Sequence, residues 1–476
     1  MKILISHSYF HKLDSKEAAI HKPYPPLAPL YLAALIKHEL NNDVFFHDVM
    51  FDQDEGPFVK YINLINPDLV IIYDDDFNYL TKMCLENMRN AIFRAIKKVE
   101  VNCTFIAHGS DASDQAEFYL QNGFTYVVHR NAENIMLKII DLFLKKEEVN
   151  ITGLESLSYS EHKKVHKNPL AKDNFPLERL PLPSWDKIDL NPYREMWINY
   201  HGYFSINVST AHGCPFHCNW CAKPLYGRSY KSIPPKRIAD EFQILKRELQ
   251  VDHVWITDDI FALKPGWITE FADEIEKRNA VIPYKIQSRA DLINPEFSRE
   301  LSRSGCDEVW LGVESGSQKI LDAMEKELSV EQTHIATKIL KKNGIKVGFF
   351  IQYGYPGEEF DDIKMTLALI KACQPDFIGI SVSYPLKDTP FYNQVIKMMG
   401  EKKNWTDSGD LALMFPGKYP PDFYRALHKF THHYFGFFSL FKQQPLKKRI
   451  RRIAAQYKHI PGILKYRQQM NTYLSL

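Results

Sequence analysis

Three features are missing from this sequence, and each absence narrows the class of protein. No apolar run approaches the ~20 residues of a membrane-spanning helix. Neither sign of charge predominates, because 60 Lys and Arg residues face 58 Asp and Glu residues, which argues against a general nucleic-acid or membrane-surface protein. No sequence repeat and no low-complexity tract is present. We therefore expect a folded cytoplasmic protein without a secretory leader that does not bind nucleic acid.

Cysteine is scarce, and its distribution is uneven. Seven cysteines in 476 residues are an odd number that does not suit a disulfide framework. Three of them fall within eight positions, at Cys214, Cys218 and Cys221. The other four are dispersed beside apolar residues, where we expect buried structural thiols: Cys84, Cys103, Cys306 and Cys373. The clustered three are best explained as reduced metal ligands.

Residues 1–150 alternate short apolar runs with helical stretches. Continuous apolar runs are typical of parallel strands covered on both faces, and they occur at 1–6, 43–47, 68–73, 104–108 and 125–129. Helical periodicity lies between them at 28–40, 81–98 and 114–122. This alternation predicts a doubly wound, Rossmann-like parallel sheet of the cofactor-binding kind.

The rest of the chain predicts a second α/β domain and a helical end. Residues 151–198 are polar and proline-rich, which indicates a linker. In 199–390, strand patterns occur at 205–209, 253–257, 283–287, 308–313, 346–352 and 377–382, and helices at 235–249, 267–277, 295–304, 330–343 and 361–373. Six strands are too few for a complete barrel and predict a partial (β/α)6 TIM-like barrel with its chemistry at the carboxyl ends of the strands. Residues 391–476 are expected to be mainly helical.

The clustered cysteines form a C-x3-C-x2-C loop directly after the first strand of this second series. Ferredoxin-like sites cap each of the four irons of a cubane with a thiolate, so three thiolates leave one iron open. An open iron can chelate the amino and carboxylate groups of S-adenosylmethionine, as catalytic metals keep one position vacant. The alternative is a zinc site in a non-catalytic metal-binding protein, with His212 or His217 as the fourth ligand.

With an aromatic residue, Trp220, before the last cysteine, this loop resembles the signature of the radical S-adenosylmethionine (SAM) superfamily. The strand ends at 257–261, 287–291, 312–317 and 354–358 carry family-like motifs in the expected order. The resemblance implies a 4Fe-4S cluster on the three cysteines and a SAM site that uses Trp220, Asp258, Asp259, Arg289, Glu314, Ser315, Gly316 and Gly357. Arg289 and Glu314 could complement the carboxylate and ammonium of the methionyl group. Gly312, Gly316 and Gly357 would let the backbone approach the adenosine.

The N-terminal domain resembles the cobalamin-binding domain of a large subclass of this superfamily, the class B methyltransferases among them. The resemblance lies in the 25–32 segment that leads into the first helix, the 108–113 loop and the 127–133 segment. It implies cobalamin contacts from His108, Gly109, Ser110, Ser113, Asn131 and Glu133. The D-x-H-x-x-G pattern that supplies a histidine to cobalt is absent, so the lower face of the metal has no assigned ligand.

The resemblance implies a cobalamin-dependent radical SAM methyltransferase acting on an unactivated carbon of a small-molecule or lipid-like substrate. An external one-electron reductant such as flavodoxin or ferredoxin would be its partner. The alternatives are cobalamin-dependent cyclisation or rearrangement, and a radical enzyme without cobalamin. The aromatic residues 434–441 and the basic residues 447–452 could contact a membrane surface, or they serve packing and solvation.

Overall fold

The computed structural model of the chain describes residues 1–74, 85–130, 132–145, 151–172, 175–221, 227–439 and 457–474. The chain divides into two compact units. The first comprises residues 1–215, 223–258 and 404–410, and the second comprises residues 216–222, 259–403 and 411–476.

A seven-stranded sheet forms the centre of the first unit. Its strands are β1 (Ile3–His7), β2 (Phe45–His47), β3 (Leu69–Tyr73), β4 (Thr104–His108), β5 (Tyr126–Val128), β6 (Leu157–Glu161) and β7 (Lys164–Lys167). They are ordered β2-β1-β3-β4-β5-β6-β7. The pairs among β1 to β5 are parallel, and β6 and β7 continue the sheet in antiparallel fashion.

Among the described residues, eight helices of the first unit precede the second series of strands. They are α1 (Ser15–Ile20), α2 (Leu27–Leu40), α3 (Gly56–Ile65), α4 (Glu86–Lys98), α5 (Ser110–Asp114), α6 (Ala116–Gln121), α7 (Ala132–Lys145) and α8 (Asn191–His201). Helices α2 and α7 contribute Leu32, Ile36 and Ile139 to one core with the apolar side chains of the parallel strands. The doubly wound α/β sheet predicted from the sequence is confirmed.

The predicted linker at 151–198 differs most from the structure, because it contains the hairpin of β6 and β7. The apolar alternation of β6 is short, because it is limited to the buried side chains of Leu157 and Tyr159. The two loop residues, His162 and Lys163, both have positive φ, at 50° and 63°. Positive φ at both central residues is the type I′ turn that matches strand twist, but these residue types do not signal it in sequence.

The second series of strands forms a six-stranded sheet and a small two-stranded ladder. The strands are β8 (Ser205–Val208), β9 (Ala211–His212), β10 (Lys231–Ser232), β11 (His253–Ile256), β12 (Tyr284–Ser288), β13 (Cys306–Glu314), β14 (Lys346–Tyr353) and β15 (Phe377–Val382). The six-stranded sheet is ordered β15-β14-β13-β12-β11-β8, so neighbours in the sheet are successive in the chain, as in a partial barrel. The predicted fold class is confirmed, and the ladder of β9 and β10 was not predicted.

The remaining helices follow these strands. They are α9 (Pro235–Arg247), α10 (Trp267–Lys277), α11 (Pro295–Arg303), α12 (Gln318–Ala323), α13 (Val330–Lys342), α14 (Phe360–Cys373), α15 (Pro390–Val395), α16 (Pro421–Ser439) and α17 (Ile460–Leu474). None of the described helices combines the length and apolar character needed to cross a bilayer. The basic residues 447–452, on which the predicted membrane contact depends, lie outside the described residues.

Residues 404–410 belong to the first unit although they are distant from it in the chain. The indole of Trp405 is buried, and its carbonyl accepts the backbone N–H of Glu86 at 2.9 Å, at the first turn of α4. Ser408 donates to the buried carboxylate of Asp14 at 2.7 Å. A short segment from late in the chain therefore completes the first unit.

The dispersed cysteines follow the expectation only in part. Cys306 and Cys373 are buried, whereas Cys103, directly before β4, is half-buried. Burial still raises the pKa of Cys103 to about 11. Cys84 lies outside the described residues.

Candidate active site

The cysteine loop, residues 213–221, begins in the first unit at Gly213, where its backbone packs closely against the backbone of Ser229. Gly213 has φ 80°, and a Cβ there would lie 2.2 Å from the carbonyl oxygen of Ser229. The backbone N–H of Cys214 donates to the carbonyl of Gly227 at 3.3 Å. Only glycine allows this geometry, so the position of the first cysteine is fixed by the chain that returns towards β10.

Asp258, predicted to bind cofactor, fixes the turn that precedes the loop. Its buried carboxylate accepts the backbone N–H groups of Thr210 at 2.6 Å and Ala211 at 3.0 Å, and the Thr210 hydroxyl also donates to it. These bonds attach the end of β11 to the end of β8. In this structure Asp258 therefore organises the approach to Cys214, and Asp259 follows it in the chain.

In the second unit, Asn219 anchors the part of the loop that carries the other two cysteines. Its backbone N–H donates to the carbonyl of Met324 at 3.0 Å, and its amide donates to the carbonyl of Ala323 at 2.8 Å. Its side-chain oxygen accepts the hydroxyl of Tyr355 at 2.9 Å, and its carbonyl accepts the N–H of Phe391 at 3.1 Å. Every polar atom of this buried residue is hydrogen-bonded. Asn219 and Tyr355 were not predicted from the sequence, because no local pattern signals such distant partners.

The last two residues of this anchored turn are Trp220 and Cys221. The N–H of Cys221 donates to the carbonyl of Cys218 at 3.3 Å, which closes the turn. The indole of Trp220 packs against the apolar cluster that contains Tyr355 and Phe391. The predicted aromatic residue is therefore seated on a fixed apolar surface, next to two cysteines of the loop.

Two ion pairs lie beside Cys218, and the second of them is buried on both sides. Arg289 is held by the carboxylate of Asp291, with bonds of 2.9 and 3.1 Å, and its Nη1 lies 3.7 Å from the sulfur of Cys218. Lys326 lies 3.0 Å from the carboxylate of Glu314, and both side chains are more than nine-tenths buried. Burial acts to lower the pKa of Lys326, but the charges of Glu314 and Cys218 outweigh it and raise that pKa. Lys326 was not predicted from the sequence.

The backbone at the end of β13 is shaped by the second ion pair. Glu314 has φ 62°, a left-handed conformation that costs energy for a side-chain-bearing residue. A Cβ at Gly312 would lie 2.9 Å from Nζ of Lys326 and 3.0 Å from the Glu314 carboxylate. Gly312 thus makes room for the pair. Such local strain is typical of functional sites.

The other predicted residues of this region have different surroundings. Gly316 lies against the backbone of α14, where a Cβ would meet the carbonyl of Met365 at 2.6 Å, and the hydroxyl of Ser315 lies 3.3 Å from that of Thr366. Both residues join the end of β13 to α14. Gly357 has φ 85°, and a Cβ there would have no neighbour within 4 Å, so its surroundings are open.

The donor set of the loop suits a cluster of several irons. The thiolates of a cubane each bind a different iron, and a hydrogen bond to a thiolate sulfur is a recognised feature of such sites. The bond between Arg289 and the Cys218 sulfur fits that requirement.

A second group of candidate residues lies at the carboxyl ends of β3 and β4, in what we call the N-terminal crevice. His108 is buried and its Nδ1 lies 2.9 Å from the carbonyl of Val128, which can only accept, so Nδ1 carries the proton. Burial lowers the pKa of His108 to about 4. The imidazole is therefore neutral near pH 7, and its Nε2 presents a lone pair.

Gly109 and its neighbours form a tight turn in the N-terminal crevice. Gly109 has φ 139°, and a Cβ there would collide with the carboxylate of Asp74. That carboxylate accepts the N–H of Ala112 at 2.7 Å, and Ser113 donates to the carbonyl of Gly109 at 2.6 Å. Ser110 is buried at the start of α5. The predicted 108–113 segment is thus a well-bonded turn.

Buried charges line the N-terminal crevice. Arg89 donates to both oxygens of Asp111 at 2.9 and 3.2 Å, and the hydroxyl of Tyr119 lies 2.9 Å from Asp74 and 2.8 Å from Asp111. A small cleft lies among these groups and Ser8. Hydroxyls and charges here suit a ligand rich in amide and hydroxyl groups, as the side arms and nucleotide of cobalamin are.

Two further predicted residues follow β5 in the chain. Glu133 lies in the first turn of α7, and burial raises the pKa of its carboxyl. Asn131 lies outside the described residues. Arg89, Asp111 and Tyr119 were not predicted from the sequence, because no motif distinguishes them from surface polar residues.

Comparison with protein families defines the class to which the site belongs. Residues 208–370, from the end of β8 into α14, match the radical SAM superfamily. This region includes the whole cysteine loop and the strand ends that carry Arg289 and Glu314. The chain therefore contains a radical SAM domain and is a radical SAM enzyme.

Relatives of known name extend the similarity into the N-terminal half. The chain is 25% identical over 377 residues to an uncharacterized methyltransferase of Pyrococcus horikoshii, covering 78% of each chain. It is 25% identical over 409 residues to the anaerobic magnesium-protoporphyrin IX monomethyl ester cyclase of Rubrivivax gelatinosus, covering 84% of this chain and 70% of the relative.

Two solved structures share the fold. The radical SAM methyltransferase TsrM from Kitasatospora setae, with cobalamin and a 4Fe-4S cluster bound, has a TM-score of 0.67 at 17% identity, covering 83% of this chain and 74% of its own. The cobalamin-dependent radical enzyme OxsB, with aqua-cobalamin and SAM bound, has a TM-score of 0.73 at 15% identity, covering 97% of this chain and 72% of its own. The fold of this chain is therefore similar to the folds of both enzymes.

Proposed function

We propose that this radical SAM enzyme is cobalamin-dependent and methylates an unactivated carbon of a small-molecule or lipid-like substrate. The observation that carries the proposal is the anchored cysteine loop, in which Asn219 is bonded at every polar atom and Arg289 donates to a cysteine sulfur. The doubly wound sheet with its polar crevice supports the cobalamin part.

The chain's own residues would divide the work of holding the cofactors. Cys214, Cys218 and Cys221 would hold a 4Fe-4S cluster, and the ion pair of Glu314 and Lys326 would face the charged ends of the methionyl group. When bound, the cluster supplies an electron for cleaving SAM, and cobalamin supplies a transferable methyl group. The protein orients these groups and excludes water from them.

In the N-terminal crevice, the proposed cobalamin contacts are acceptors and small side chains. Neutral His108 offers an acceptor nitrogen, and Gly109 allows close approach of the backbone. Ser110, Ser113 and Glu133 lie around the same strand ends, and Asn131 is included on the strength of the sequence resemblance. Burial of His108 and Ser110 favours hydrogen bonds to a neutral ligand over contacts with water.

The test is anaerobic reconstitution of the full chain with iron, sulfide and hydroxocobalamin. We expect about four irons per chain, as a cubane requires, together with cobalamin absorbance that persists through gel filtration. With SAM, dithionite and substrate, we expect both 5′-deoxyadenosine and S-adenosylhomocysteine. Formation of 5′-deoxyadenosine without S-adenosylhomocysteine would rule out methylation. One zinc per chain in place of iron would rule out radical chemistry altogether.

A second candidate is cobalamin-dependent cyclisation, and one specific observation favours it. The cyclase of Rubrivivax gelatinosus is as similar in identity as the methyltransferase relative and covers more of this chain. Product stoichiometry separates the two, because cyclisation transfers no methyl group. An enzyme that cleaves SAM without retaining hydroxocobalamin would instead be a cobalamin-independent radical enzyme.

A further inference from the structure

We propose that Arg289 is a positioning residue of the cluster, whose guanidinium donates a charge-assisted hydrogen bond to the Cys218 sulfur and raises the cluster's reduction potential. This inference rests on the cluster assignment in the proposed function. It gives Arg289 a different role from the carboxylate contact that the sequence suggested.

The geometry places the guanidinium against the cysteine loop in two ways. Nη1 lies 3.7 Å from the Cys218 sulfur, within hydrogen-bonding range for sulfur. The guanidinium carbon also lies 3.9 Å from the centre of the Phe216 ring, in the same loop. The guanidinium therefore contacts the loop through both a bond and a stacked face, which a lysine ammonium cannot reproduce.

Most of the other N–H groups of Arg289 already donate hydrogen bonds to protein acceptors. A guanidinium has five N–H groups. Nε and one N–H of Nη2 donate to Asp291 at 2.9 and 3.1 Å, and the other N–H of Nη2 donates to the carbonyl of Glu327 at 3.0 Å. With the bond to Cys218, one N–H on Nη1 remains. Two parallel hydrogen bonds from Arg289 to a ligand carboxylate would therefore require an N–H group that already donates to the protein.

The electrostatic consequence follows from the charge that a cluster gains on reduction. One electron from an external donor makes the cluster more negative, and a nearby cation stabilises that state. Hydrogen bonds to the sulfurs act in the same direction and are among the factors that set these potentials. Arg289 is more than nine-tenths buried, so water screens its charge weakly.

The experiment compares Arg289→Gln and Arg289→Lys with the native enzyme by redox titration of the cluster followed by EPR, without SAM. Arg289→Gln should lower the ratio of reduced to oxidised cluster at the native midpoint at least tenfold, which is ~59 mV for one electron. Arg289→Lys keeps the positive charge, so its midpoint potential should lie between those of the native enzyme and Arg289→Gln. Arg278→Lys is the matched control, because Arg278 pairs with Glu274 in α10 and should leave the potential unchanged. A native potential in Arg289→Gln with full iron content would overturn the proposal.

A measurement on the native protein covers the case in which the variants lose iron. In protein labelled with ¹⁵N-arginine, electron-nuclear double resonance of the reduced cluster should show a ¹⁵N coupling from the guanidinium. Its absence from a protein that holds four irons would contradict this inference alone. Failure to assemble any four-iron cluster in the native chain would instead contradict the proposed function.

Discussion

The cysteine loop and the N-terminal crevice both lie at the carboxyl ends of strands, but the protein completes them to different degrees. In the cysteine loop, Asn219 is bonded to the surrounding backbone and Arg289 to a cysteine sulfur, so the turn is organised by protein groups alone. In the N-terminal crevice, Arg89 pairs with the carboxylate of Asp111, and the hydroxyl of Tyr119 lies between the carboxylates of Asp74 and Asp111 beside a small cleft. A preorganised loop suits a cofactor bound by covalent ligands, whereas a charged cleft suits one held by many weak contacts.

The contrast between the two regions would disappear if the loop cysteines were dispensable. Cys218→Ala should reduce cluster content and SAM cleavage to background, because a cubane cannot be held by two thiolates, while hydroxocobalamin binding stays native. Iron analysis and 5′-deoxyadenosine formation measure this. Cys103→Ala is the control, since the pKa of that half-buried thiol is raised to about 11 and the variant should keep its iron. If Cys218→Ala still cleaves SAM, the cluster is not bound by the cysteine loop.

The N-terminal crevice should respond most to loss of its buried ion pair. Asp111→Asn leaves Arg89 buried with one carboxylate fewer, and breaking a buried pair costs about 3–5 kcal/mol. Hydrogen–deuterium exchange of peptides from β4 to α6 should speed up accordingly, with iron content unchanged. Asp141→Asn, which removes an exposed pair with Lys145, should cost under ~1 kcal/mol. Equal exchange in the two variants would show that the charges of the crevice do not stabilise it.

A smaller effect tests how far the cysteine loop is preorganised. Tyr355→Phe deprives the Asn219 amide oxygen of its donor, a loss of about 1–3 kcal/mol for a buried group. The rate of iron release to a chelator should rise, because the turn between the last two cysteines opens more often. Tyr284→Phe removes an equally buried hydroxyl, bonded to Ser304, and should leave the release rate native. If both variants release iron at the native rate, the hydrogen bond from Tyr355 to Asn219 does not stabilise the loop around the cluster.

The last effect is a pH dependence of the N-terminal crevice. The pKa of His108 is lowered to about 4 when folded, so below its ordinary pKa the unfolded chain binds a proton that the folded chain does not. Stability should therefore fall as pH drops from about 6.5 towards 4, by up to ~1.4 kcal/mol per pH unit. His108→Asn, whose amide can still donate to Val128, should remove this slope in urea unfolding measured at pH 7, 6 and 5. A slope unchanged in the variant would assign the dependence to other groups.

The sequence predicted those parts of the molecule that depend on local spacing. The parallel strands were located to within a few residues because continuous apolar runs such as β3 are their direct consequence. The cysteine loop was recognised because its three thiols occupy eight positions. The hairpin of β6 and β7 was missed, since its turn residues, His162 and Lys163, are not typical of a type I′ turn.

The partners within the site could not be predicted, because they come from distant positions. Lys326 follows a short helix and has the sequence context of a surface residue, yet it is buried against Glu314. Tyr355 reaches Asn219 across 136 positions. A strand-end arginine such as Arg289 could be predicted to matter, but the side chain that it contacts is set by tertiary packing.

The segment 404–410 has a consequence for how this protein is made. Trp405 fills the first unit and its carbonyl caps α4, so that unit is incomplete until the chain has been synthesised beyond residue 410. At about 5–20 residues per second, the ribosome spends many seconds between the end of β11 and this segment. During that interval the first unit lacks the buried side chain of Trp405 and the carbonyl that caps α4. A chain truncated before residue 404 would lack both permanently.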